Sequence, residues 1–317
     1  MALQTRPETL DAYIGHPDMK ANIKTLLDAA KTRQLPATHA LMYGPAGTGK
    51  TTIARIVANE MGANLKTGIG PAYRTVPDII PLLMSIRQGD VLFIDEIHAL
   101  PRLVEEVLYT AMEDGVIDVV FGDIMPYTMR VPIPAFTMLG ATTRLGKMSQ
   151  PLRDRFKAVL RLNYYTDTEL AEIITQTGVV ATPDGIAEIA RRGRGTPRVV
   201  LNLLSRVSDY ALANGLLIDA ETASKALDAI GVDKVGLDSN DRRFLKVLAN
   251  RFGGGPAGID AISSVMNEER DTVEDVIEPF LLWKGMIERT PRGRVLTVTG
   301  YQHLGMAVPE RKETVVM

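Results

Sequence analysis

The chain has 317 residues, of which 45% are hydrophobic and 23% charged, so its composition is that of a folded globular protein and excludes wholesale disorder or a coiled-coil rod. Lys and Arg number 36 against 38 Asp and Glu, a net charge of -2, so any surface that attracts nucleic acid must be local. With no cysteine, the chain has no disulfide, no zinc-thiolate site and no thiol nucleophile. The sequence shows neither a signal peptide nor a run of about 18 apolar residues that could cross a bilayer, so we expect a cytoplasmic protein without a membrane partner.

The first half of the chain alternates short apolar runs with helical patterns. Runs of strand length are HALMYG, VLFIDE and FTMLGATT, all between residues 38 and 154. This alternation is typical of a mainly parallel sheet covered by helices. We therefore predict an α/β domain over residues 1–165.

A phosphate-binding loop follows the first of these strands and precedes a helical run. Residues 44–51 read GPAGTGKT and match the pattern G-x-x-x-x-G-K-[ST]. Glycines in such a loop let backbone N–H groups curl around phosphate oxygens at a helix N-terminus. We expect Lys50 to reach the β- and γ-phosphates and Thr51 to offer its hydroxyl to Mg²⁺.

Two carboxylates, Asp95 and Glu96, follow the apolar run VLFI. In P-loop NTPases the first such acid holds the Mg²⁺ shell and the next can polarise the attacking water, which makes Asp95 a metal ligand and Glu96 a general base. The pair could instead only cap the next helix. Nearby, His98 could orient the substrate or Glu96, or could be an ordinary histidine satisfied by a partner.

Residues 116–131, VIDVVFGDIMPYTMRV, alternate in the manner of a β-hairpin, which we place at about 116–133 as an insertion in the α/β domain. Apolar residues at its tip, Ile124, Met125 and Tyr127, could form a docking patch or could pack internally.

Helical patterns replace the strand signals after residue 165. Apolar residues at i, i+3 and i+4 recur in ELAEIITQ, DGIAEIARR, PRVVLNLLSRVSDYALA and AETASKALDAI, which predicts a small all-α domain over residues 166–233. Three more helical patterns, NDRRFLKVLANRF, PAGIDAISSVM and ERDTVEDVIEPFLLWKG, precede MIERT, a Pro-Arg-Gly turn and RVLTVT. Three helices and a closing hairpin predict a winged helix over residues 234–317.

The predicted C-terminal hairpin carries a local positive charge. Lys284, Arg289, Arg292 and Arg294 stand against one acid, Glu288, for a local charge of +3. Such a wing could neutralise DNA phosphates without reading the sequence, although a charged surface hairpin with no ligand is the alternative. The acidic helix ERDTVEDVIEP disfavours a sequence-specific regulator, because the groove would repel it.

These motifs resemble the AAA+ ATPases and, within them, the RuvB family of Holliday-junction branch-migration motors. The resemblance runs from about residue 6 to 305, and its most specific stretches are VEEVLYTAMED, GATTR with PLRDRF, and ERTPRGR. It implies an α/β fold made of an AAA+ P-loop domain with a parallel sheet, a small all-α lid and a C-terminal winged-helix domain. It also implies a Mg²⁺-dependent ATP hydrolase that forms a ring, most simply a hexamer, on duplex DNA and promotes branch migration in recombination and repair.

The resemblance assigns further site residues. It places the first sensor at Thr143, the second sensor at Arg198, and at Arg155 an arginine finger that serves the neighbouring subunit, with Arg153 as its rival. Since an arginine finger contributes about 10³–10⁵ in rate, hydrolysis should require an assembled ring. The predicted catalytic residues are Lys50, Glu96, Thr143 and Arg155; those for ATP or ADP are Arg6, Tyr13, Ile14, Gly44, Gly47, Gly49, Lys50, Thr51, Thr52, Glu113, Asp114, Gly115, Tyr165 and Arg198; those for Mg²⁺ are Thr51 and Asp95; and those for DNA are Arg270, Arg289 and Arg294.

The predicted partners are duplex DNA and four-way junctions, further copies of the chain, and a RuvA-like junction-binding protein docked on the hairpin. The hairpin around residues 122–127 and the loop that carries Tyr73 and Arg74 depart from the family pattern. Two alternatives stay open. One is a different AAA+ machine, either a sliding-clamp loader or a protein unfoldase in which Tyr73 grips polypeptide; the other is a nucleotide-switched DNA-binding scaffold, which would need neither Glu96 nor Arg155.

Overall fold

The computed structural model describes residues 6–121 and 127–309, and the chain divides into two compact units. Unit 1 comprises residues 1–179 together with 195–199, and unit 2 comprises residues 180–194 and 200–317. The strands of unit 1 are β1 (Ala40–Tyr43), β2 (Leu65–Ile69), β3 (Val91–Asp95), β4 (Val116–Phe121), β5 (Tyr127–Pro132), β6 (Thr137–Thr142) and β7 (Ala158–Arg161). Its helices are α1 (Pro17–Arg33), α2 (Lys50–Met61), α3 (Val76–Met84), α4 (Arg102–Glu113), α5 (Gln150–Arg155) and α6 (Asp167–Gln176).

Five strands of unit 1 form a parallel sheet in the order β2-β3-β6-β1-β7. The three central strands are β3, β6 and β1, which contain the three apolar runs of the sequence, and their inner residues are almost all buried. A strand that is covered on both faces has no polar side to show, so these strands are apolar throughout rather than alternating. The predicted parallel α/β sheet is therefore present.

Alternate residues of β1 face opposite layers of helices. Leu41 packs into a core with residues of α3, α4 and α5, including Ile79 and Leu108. Met42, the next residue along the strand, lies with Ile53 of α2 and Ile23 of α1. Because successive strand side chains point to opposite faces, the sheet lies between these two helical layers.

The predicted insertion is an antiparallel hairpin of β4 and β5. Its register runs from Val116 opposite Pro132 to Phe121 opposite Tyr127. Ile124 and Met125 lie outside the described residues. Of the described part, Val120, Tyr127 and Met129 are 66%, 61% and 46% exposed, so this hairpin carries apolar side chains on its surface.

Unit 2 contains the remaining lid helices and the winged helix. Helix α8 runs through the boundary between the units, since its first residues belong to unit 1. The elements are α7 (Pro183–Arg191), α8 (Pro197–Asn214), α9 (Ala220–Ala229), α10 (Ser239–Phe252), α11 (Ile259–Met266), α12 (Arg270–Thr272), a π-helical turn (Val273–Ile277), α13 (Glu278–Trp283), β8 (Ile287–Thr290), β9 (Gly293–Leu296) and α14 (Val298–His303).

The winged helix has its own apolar core, formed by α10, α11 and α13 with the hairpin β8–β9. The sequence predicts one helix over ERDTVEDVIEPFLLWKG, whereas the structure has a π-helical turn that ends just before Glu278. Pro279 has no N–H to donate to the preceding turn, so the regular α-helical ladder is interrupted there. The second predicted strand, RVLTVT, is also shorter than expected, because Thr297 caps α14 by accepting a hydrogen bond from the N–H of Gly300 at 3.2 Å.

Candidate functional site

The loop between β1 and α2 depends on glycines at three positions. Gly44, Gly47 and Gly49 all have positive φ, with values of 151°, 78° and 101°. A Cβ on Gly44 would lie 2.1 Å from the backbone oxygen of Leu162. Since neither the conformation nor the space admits a side chain there, the loop can form only with glycine, and it leads directly into the N-terminus of α2.

Lys50 is the first residue of α2 and is only 6% exposed. Its Nζ donates hydrogen bonds to the backbone oxygens of Gly44 at 3.0 Å and of Pro45 at 2.9 Å. Burial lowers the pKa of Lys50 below its ordinary value, while the negative charges of Glu96 and Asp95 oppose that shift. The lysine is thus held inside the curve of the loop, where a bound phosphate would offer it anionic oxygens in place of carbonyls.

Thr51 and Asp95 lie side by side at the carboxyl end of the sheet. The hydroxyl of Thr51 donates a hydrogen bond of 3.3 Å to Oδ2 of Asp95. Within residues 6–121 and 127–309 there is no group of three or more His, Cys, Asp or Glu that could hold a metal ion by itself. One hydroxyl and one carboxylate fit Mg²⁺, which keeps several waters and takes few protein ligands beside a nucleotide.

Glu96 follows β3 in a left-handed conformation, with φ at 47°. Its Oε2 accepts a hydrogen bond of 3.2 Å from the Thr143 hydroxyl and lies 3.2 Å from Nδ1 of His98. The contact with His98 is the main reason that the pKa of Glu96 is below its ordinary value; burial opposes it, and Thr143 and the charge of Lys50 support it. With its pKa lowered, the Glu96 carboxylate is ionised at neutral pH and can accept a hydrogen bond from a water molecule, and its left-handed backbone is a strained conformation of the kind found at functional sites.

His98, whose role the sequence left open, and Thr143 both lie beside this carboxylate. His98 lies between Glu96 and the hydroxyl of Thr142, 2.9 Å from the latter, so it orients the carboxylate. Thr143, the predicted first sensor, directly follows β6 and reaches the same carboxylate. These side chains therefore form one group at the carboxyl ends of β3 and β6.

Two tyrosines support the phosphate loop from outside. The hydroxyls of Tyr13 and Tyr165 are 2.6 Å apart and lie 3.2 Å and 3.1 Å from the backbone oxygen of Thr48. Burial raises the pKa of both tyrosines well above the ordinary value, so both hydroxyls stay protonated. These contacts connect the segment before α1 and the segment before α6 to the loop.

The segment around Tyr13 contains the other predicted pocket residues and one that the sequence did not indicate. Ile14 is half-buried, Thr52 is half-buried in the first turn of α2, and Arg6 is exposed. His16 was missed: its ring lies edge-on to that of Tyr165, with centroids 4.6 Å apart, and its Nε2 is buried without a hydrogen-bond partner. A lone histidine after a glycine carries no spacing signal that could have identified it.

Arg198, the predicted second sensor, lies beside the phosphate loop. Its backbone N–H donates to the oxygen of Gly47 at 3.4 Å, and a Cβ on Gly47 would lie 3.0 Å from the Cβ of Arg198. The side chain is exposed, and its positive charge contributes to the lowered pKa of Lys50. Arg198 is therefore close enough to Lys50 for their positive charges to interact.

The predicted arginine finger lies at the other end of the sheet. Nη2 of Arg155 is 2.5 Å from Oε2 of Glu113, and its guanidinium lies over the ring of Tyr109, 5.6 Å from the centroid. Arg155 ends α5 shortly before β7 begins. The rival, Arg153, donates instead to Gln150 in the same helix.

The position of Glu113 follows from the end of α4. The backbone oxygen of Met112 lies 3.3 Å from Nε2 of His39, the residue just before β1, whereas the phosphate loop begins just after β1. The structure therefore groups Glu113, and Asp114 and Gly115 after it, with Arg155 at the amino edge of the sheet rather than with Lys50 at the carboxyl edge. These three residues were predicted to contact ATP, but the structure does not bring them to the nucleotide loop of their own chain.

The three predicted DNA-binding arginines are all in the winged helix and are all ion-paired. Arg289 and Arg294 both donate to Glu278, through Nε at 2.7 Å and 2.8 Å. Arg270, which is 56% exposed, pairs with the exposed Asp260 at 3.2 Å. The count of charge on the wing missed Glu278, because this acid is eleven residues before Arg289, in the acidic helical stretch ERDTVEDVIEP that precedes the hairpin.

Tyr73, which one alternative treats as a grip on polypeptide, is half-buried against the core of unit 1. A Cβ on Gly68 would lie 2.5 Å from the Tyr73 hydroxyl, so the ring covers β2 closely. In the part of the chain that the structure describes, no helix is both long and apolar enough to span a bilayer.

Comparison with known proteins agrees with this arrangement over nearly the whole chain. Three family models match: the Holliday junction DNA helicase RuvB P-loop domain over residues 5–162, the RuvB AAA lid domain over residues 165–233, and the RuvB C-terminal winged helix domain over residues 234–305. A curated relative, the Holliday junction branch migration complex subunit RuvB of Rickettsia africae strain ESF-5, is 44% identical over 315 residues, which are 98% of this chain and 92% of the relative.

Solved structures show the same fold. The Holliday junction branch migration motor RuvB of Thermotoga maritima is 40% identical, with a TM-score of 0.88 over 96% of this chain and 99% of that one. A lysine-to-arginine mutant of the Thermotoga maritima protein gives a TM-score of 0.89 at 40% identity, with the same coverage. The predicted fold of P-loop domain, helical lid and winged helix is confirmed, and the chain belongs to the RuvB family of AAA+ ATPases.

Proposed function

We propose that this chain is an ATP-driven DNA motor that promotes branch migration of Holliday junctions in recombination and repair. It is an ATP hydrolase of the helicase or translocase type. The finer parts of the proposal are that Mg²⁺ is its metal, that it works in the cytoplasm as a ring of identical subunits, most simply a hexamer, and that a RuvA-like protein recruits it to four-way junctions.

The observation that carries the proposal is the separation of Lys50 from Arg155. Lys50, Asp95 and Glu96 lie at the carboxyl edge of the sheet, and Arg155 lies at the amino edge. A single chain therefore holds a triphosphate at one edge and offers a guanidinium at the other. Repeating the same head-to-tail contact closes a ring in which each nucleotide receives an arginine from the next subunit.

Each residue at the carboxyl edge has a task in hydrolysis. The backbone of the loop and Lys50 would bind the β- and γ-phosphates, and Glu96, oriented by His98, would accept the proton of the attacking water. Thr51 and Asp95 would hold Mg²⁺, which when bound neutralises charge on the phosphates. Arg198, which lies in the first turn of the lid helix α8 and donates its backbone N–H to the oxygen of Gly47, would report the state of the γ-phosphate to the lid.

We assign Glu113, Asp114 and Gly115 to the nucleotide of the neighbouring subunit, together with Arg155. Support comes from the ion pair between Glu113 and Arg155, which keeps the end of α4 and the end of α5 together. A nucleotide bound by both chains would explain why the family pattern lists these residues with the pocket although they lie far along the sheet from the loop.

DNA contact is assigned to the winged helix, and partner docking to the hairpin β4–β5. The wing presents Arg289 half-exposed. On the hairpin, Tyr127 and Met129 expose apolar side chains on one face, and Val120 exposes its side chain on the opposite face. An apolar surface of this kind fits a protein partner rather than DNA. A clamp loader or unfoldase is disfavoured by the family, and a scaffold is disfavoured by the positioned base Glu96.

The test is dissociation of a synthetic four-way junction by the purified chain, with ATP or with a non-hydrolysable analogue, and with and without added RuvA. The proposal predicts ATP-dependent dissociation that RuvA accelerates. ATP turnover that duplex DNA does not stimulate, together with an intact junction, would instead support the scaffold.

A further inference from the structure

The winged helix contains a buried acid whose negative charge is out of contact with water and is balanced by hydrogen bonds from neighbouring arginines. Glu278, the first residue of α13, is 0% exposed and lies among core residues such as Ile277 and Leu281. A carboxylate withdrawn from water costs much free energy unless charged donors satisfy it. Burial alone would raise the pKa of Glu278, but hydrogen bonds from Arg289 and Arg294 outweigh burial and hold that pKa below its ordinary value.

Both donors come from the wing, and they lie directly opposite each other. In the register of β8 and β9, Arg289 pairs with Arg294. Two positive side chains at opposed positions of a two-stranded ladder repel each other. Oε1 of Glu278 accepts hydrogen bonds from Nε of Arg289 at 2.7 Å and from Nε of Arg294 at 2.8 Å. One buried carboxylate therefore keeps the two guanidinium groups next to each other.

The two arginines are held to different degrees. Arg294 donates through Nε and also through Nη2, at 3.0 Å to Oε2, and its side chain is only 15% exposed. Its backbone is fixed as well, by two hydrogen bonds with Ala257 of 2.7 Å and 2.9 Å. Arg289 contributes only its Nε to the hydrogen bonds found among residues 6–121 and 127–309, and its side chain is 50% exposed.

We propose that Glu278 is a positioning residue of the DNA-binding wing: it fixes Arg294 as an anchor and turns Arg289 so that the outer edge of its guanidinium meets DNA phosphates. This inference rests on the proposed function, since it assumes that the wing contacts DNA. It also divides the two arginines, which the sequence treats alike, into one that binds phosphate and one that supports it.

The direction in which DNA affinity changes in Glu278→Gln distinguishes a positioning role of Glu278 from a simple effect of its charge. Glu278→Gln makes the wing more positive by one charge, so a rule based on charge alone predicts tighter DNA binding and a steeper salt dependence. If Glu278 positions Arg289, the same change weakens binding, because a long side chain must then be ordered at the moment of contact. We expect a loss of roughly threefold to tenfold in affinity, the cost of immobilising about one such side chain.

The experiment measures the fluorescence anisotropy of a short labelled duplex of arbitrary sequence titrated with the full chain at two salt concentrations. Asp260→Asn is the matched charge control, because it also converts an acid beside a DNA-binding arginine to an amide, but in an exposed pair. It should leave affinity unchanged or raise it. Phe244→Leu is the control for stability, because it disturbs the same buried core without changing charge, and it should leave affinity unchanged.

A double-mutant cycle shows through which residue Glu278 acts. Arg289→Ala should weaken binding in the natural chain but add little in the Glu278→Gln background, since the arginine is no longer positioned there. Glu278→Asp keeps the charge and should retain more affinity than Glu278→Gln. If Glu278→Gln is not folded at the assay temperature, Glu278→Asp takes its place in the cycle. Its charge is unchanged, so a loss of affinity then reports positioning alone, and Arg289→Ala should cost less affinity in that background than in the natural chain.

Two results would overturn the inference: the first leaves the proposed function intact, and the second also removes the proposed DNA contact of the winged helix. If Glu278→Gln binds DNA as well as the natural chain or better while Arg289→Ala weakens binding, Glu278 only reduces charge, and the proposed function stands. If neither change affects DNA affinity while Arg270→Ala also has no effect, the winged helix is not the DNA contact, and that part of the proposed function falls with the inference.

Discussion

Arg155 and Glu113 form an ion pair of 2.5 Å that joins the end of α5 to the end of α4 at the amino edge of the sheet. The guanidinium is thereby held at the opposite edge from the Lys50 loop of its own chain, and its Nε is buried without a hydrogen-bond partner. This placement supports the proposal that Arg155 serves the nucleotide of a neighbouring chain.

The Arg155→Ala chain and the Lys50→Ala chain should each be inactive alone and active in mixture. Each contributes the intact half of a site that the other lacks, and in randomly mixed rings roughly a quarter of the interfaces combine both intact halves. Steady-state ATP turnover of the mixture measures the rescue. Arg153→Ala is the control, because Arg153 is bonded to Gln150 in its own helix, and it should keep most of its activity. A mixture as inactive as its components would show that Arg155 does not act between chains.

Lys50→Ala should remove nucleotide binding in the natural oligomeric state. The change deletes a buried ammonium that contacts the loop at two points, and its loss should weaken ATP binding by roughly 100-fold or more. Fluorescent-nucleotide titration or calorimetry checks the result. Lys24→Ala, an exposed lysine of α1, should bind ATP normally. Affinity that does not change in Lys50→Ala would mean that the phosphates lie elsewhere.

The Glu96→Gln chain should bind ATP but hydrolyse it very slowly. The amide keeps the shape of the side chain but cannot accept a proton, so turnover should fall by about 10²–10⁴. Single-turnover hydrolysis measures the chemical step, and nucleotide titration measures binding. Glu172→Gln, an exposed acid of α6, controls for the removal of one negative charge. Near-normal turnover in Glu96→Gln would assign the base to another residue.

Because of Glu278, the free energy of unfolding of the winged helix should depend on pH in the acidic range. Its pKa in the folded state lies below the ordinary value of 4.5, so the folded state gains stability above that value and loses it as the pH falls through the lowered pKa. At neutral pH, Glu278→Gln should therefore reduce stability by about 2–4 kcal/mol, and this difference should shrink at a pH below 4.5. Thermal unfolding of both chains across this range provides the measurement. A constant difference at all pH values would mean that the carboxylate is not ionised in the fold.

The sequence predicted the central strands and the lid helices because their patterns are strong, but not the edge strands β2 and β7. β2 reads LKTGI and β7 reads AVLR, and all of their residues except Leu160 are half-buried or exposed. Edge strands pair on one side only and need less apolar surface, so short mixed runs of this kind do not stand out from a loop. Tertiary pairing with β3 and β1 decides their structure.

Lys50, Thr51, Asp95 and Glu96 could be proposed from the sequence because their chemistry is fixed by spacing within short motifs, whereas Thr143 was proposed from the family resemblance. The structure does bring Lys50, Thr51, Asp95, Glu96 and Thr143 together as those motifs imply. The pairs Glu113 with Arg155 and Glu278 with Arg289 each join residues on two different elements, α4 with α5 and α13 with β8, so no periodicity within one helix or strand relates the partners. No local pattern marks such contacts, so only the fold reveals that the wing is held by a buried acid.

A site shared between chains is tested most directly by measuring ATP turnover per chain as a function of chain concentration, with the oligomeric state followed in the same samples. If Lys50 holds a triphosphate that is cleaved only when the Arg155 of another copy arrives, turnover per chain should rise steeply over the range in which rings assemble and be nearly absent below it. Equal turnover by fully dissociated chains would contradict a shared site.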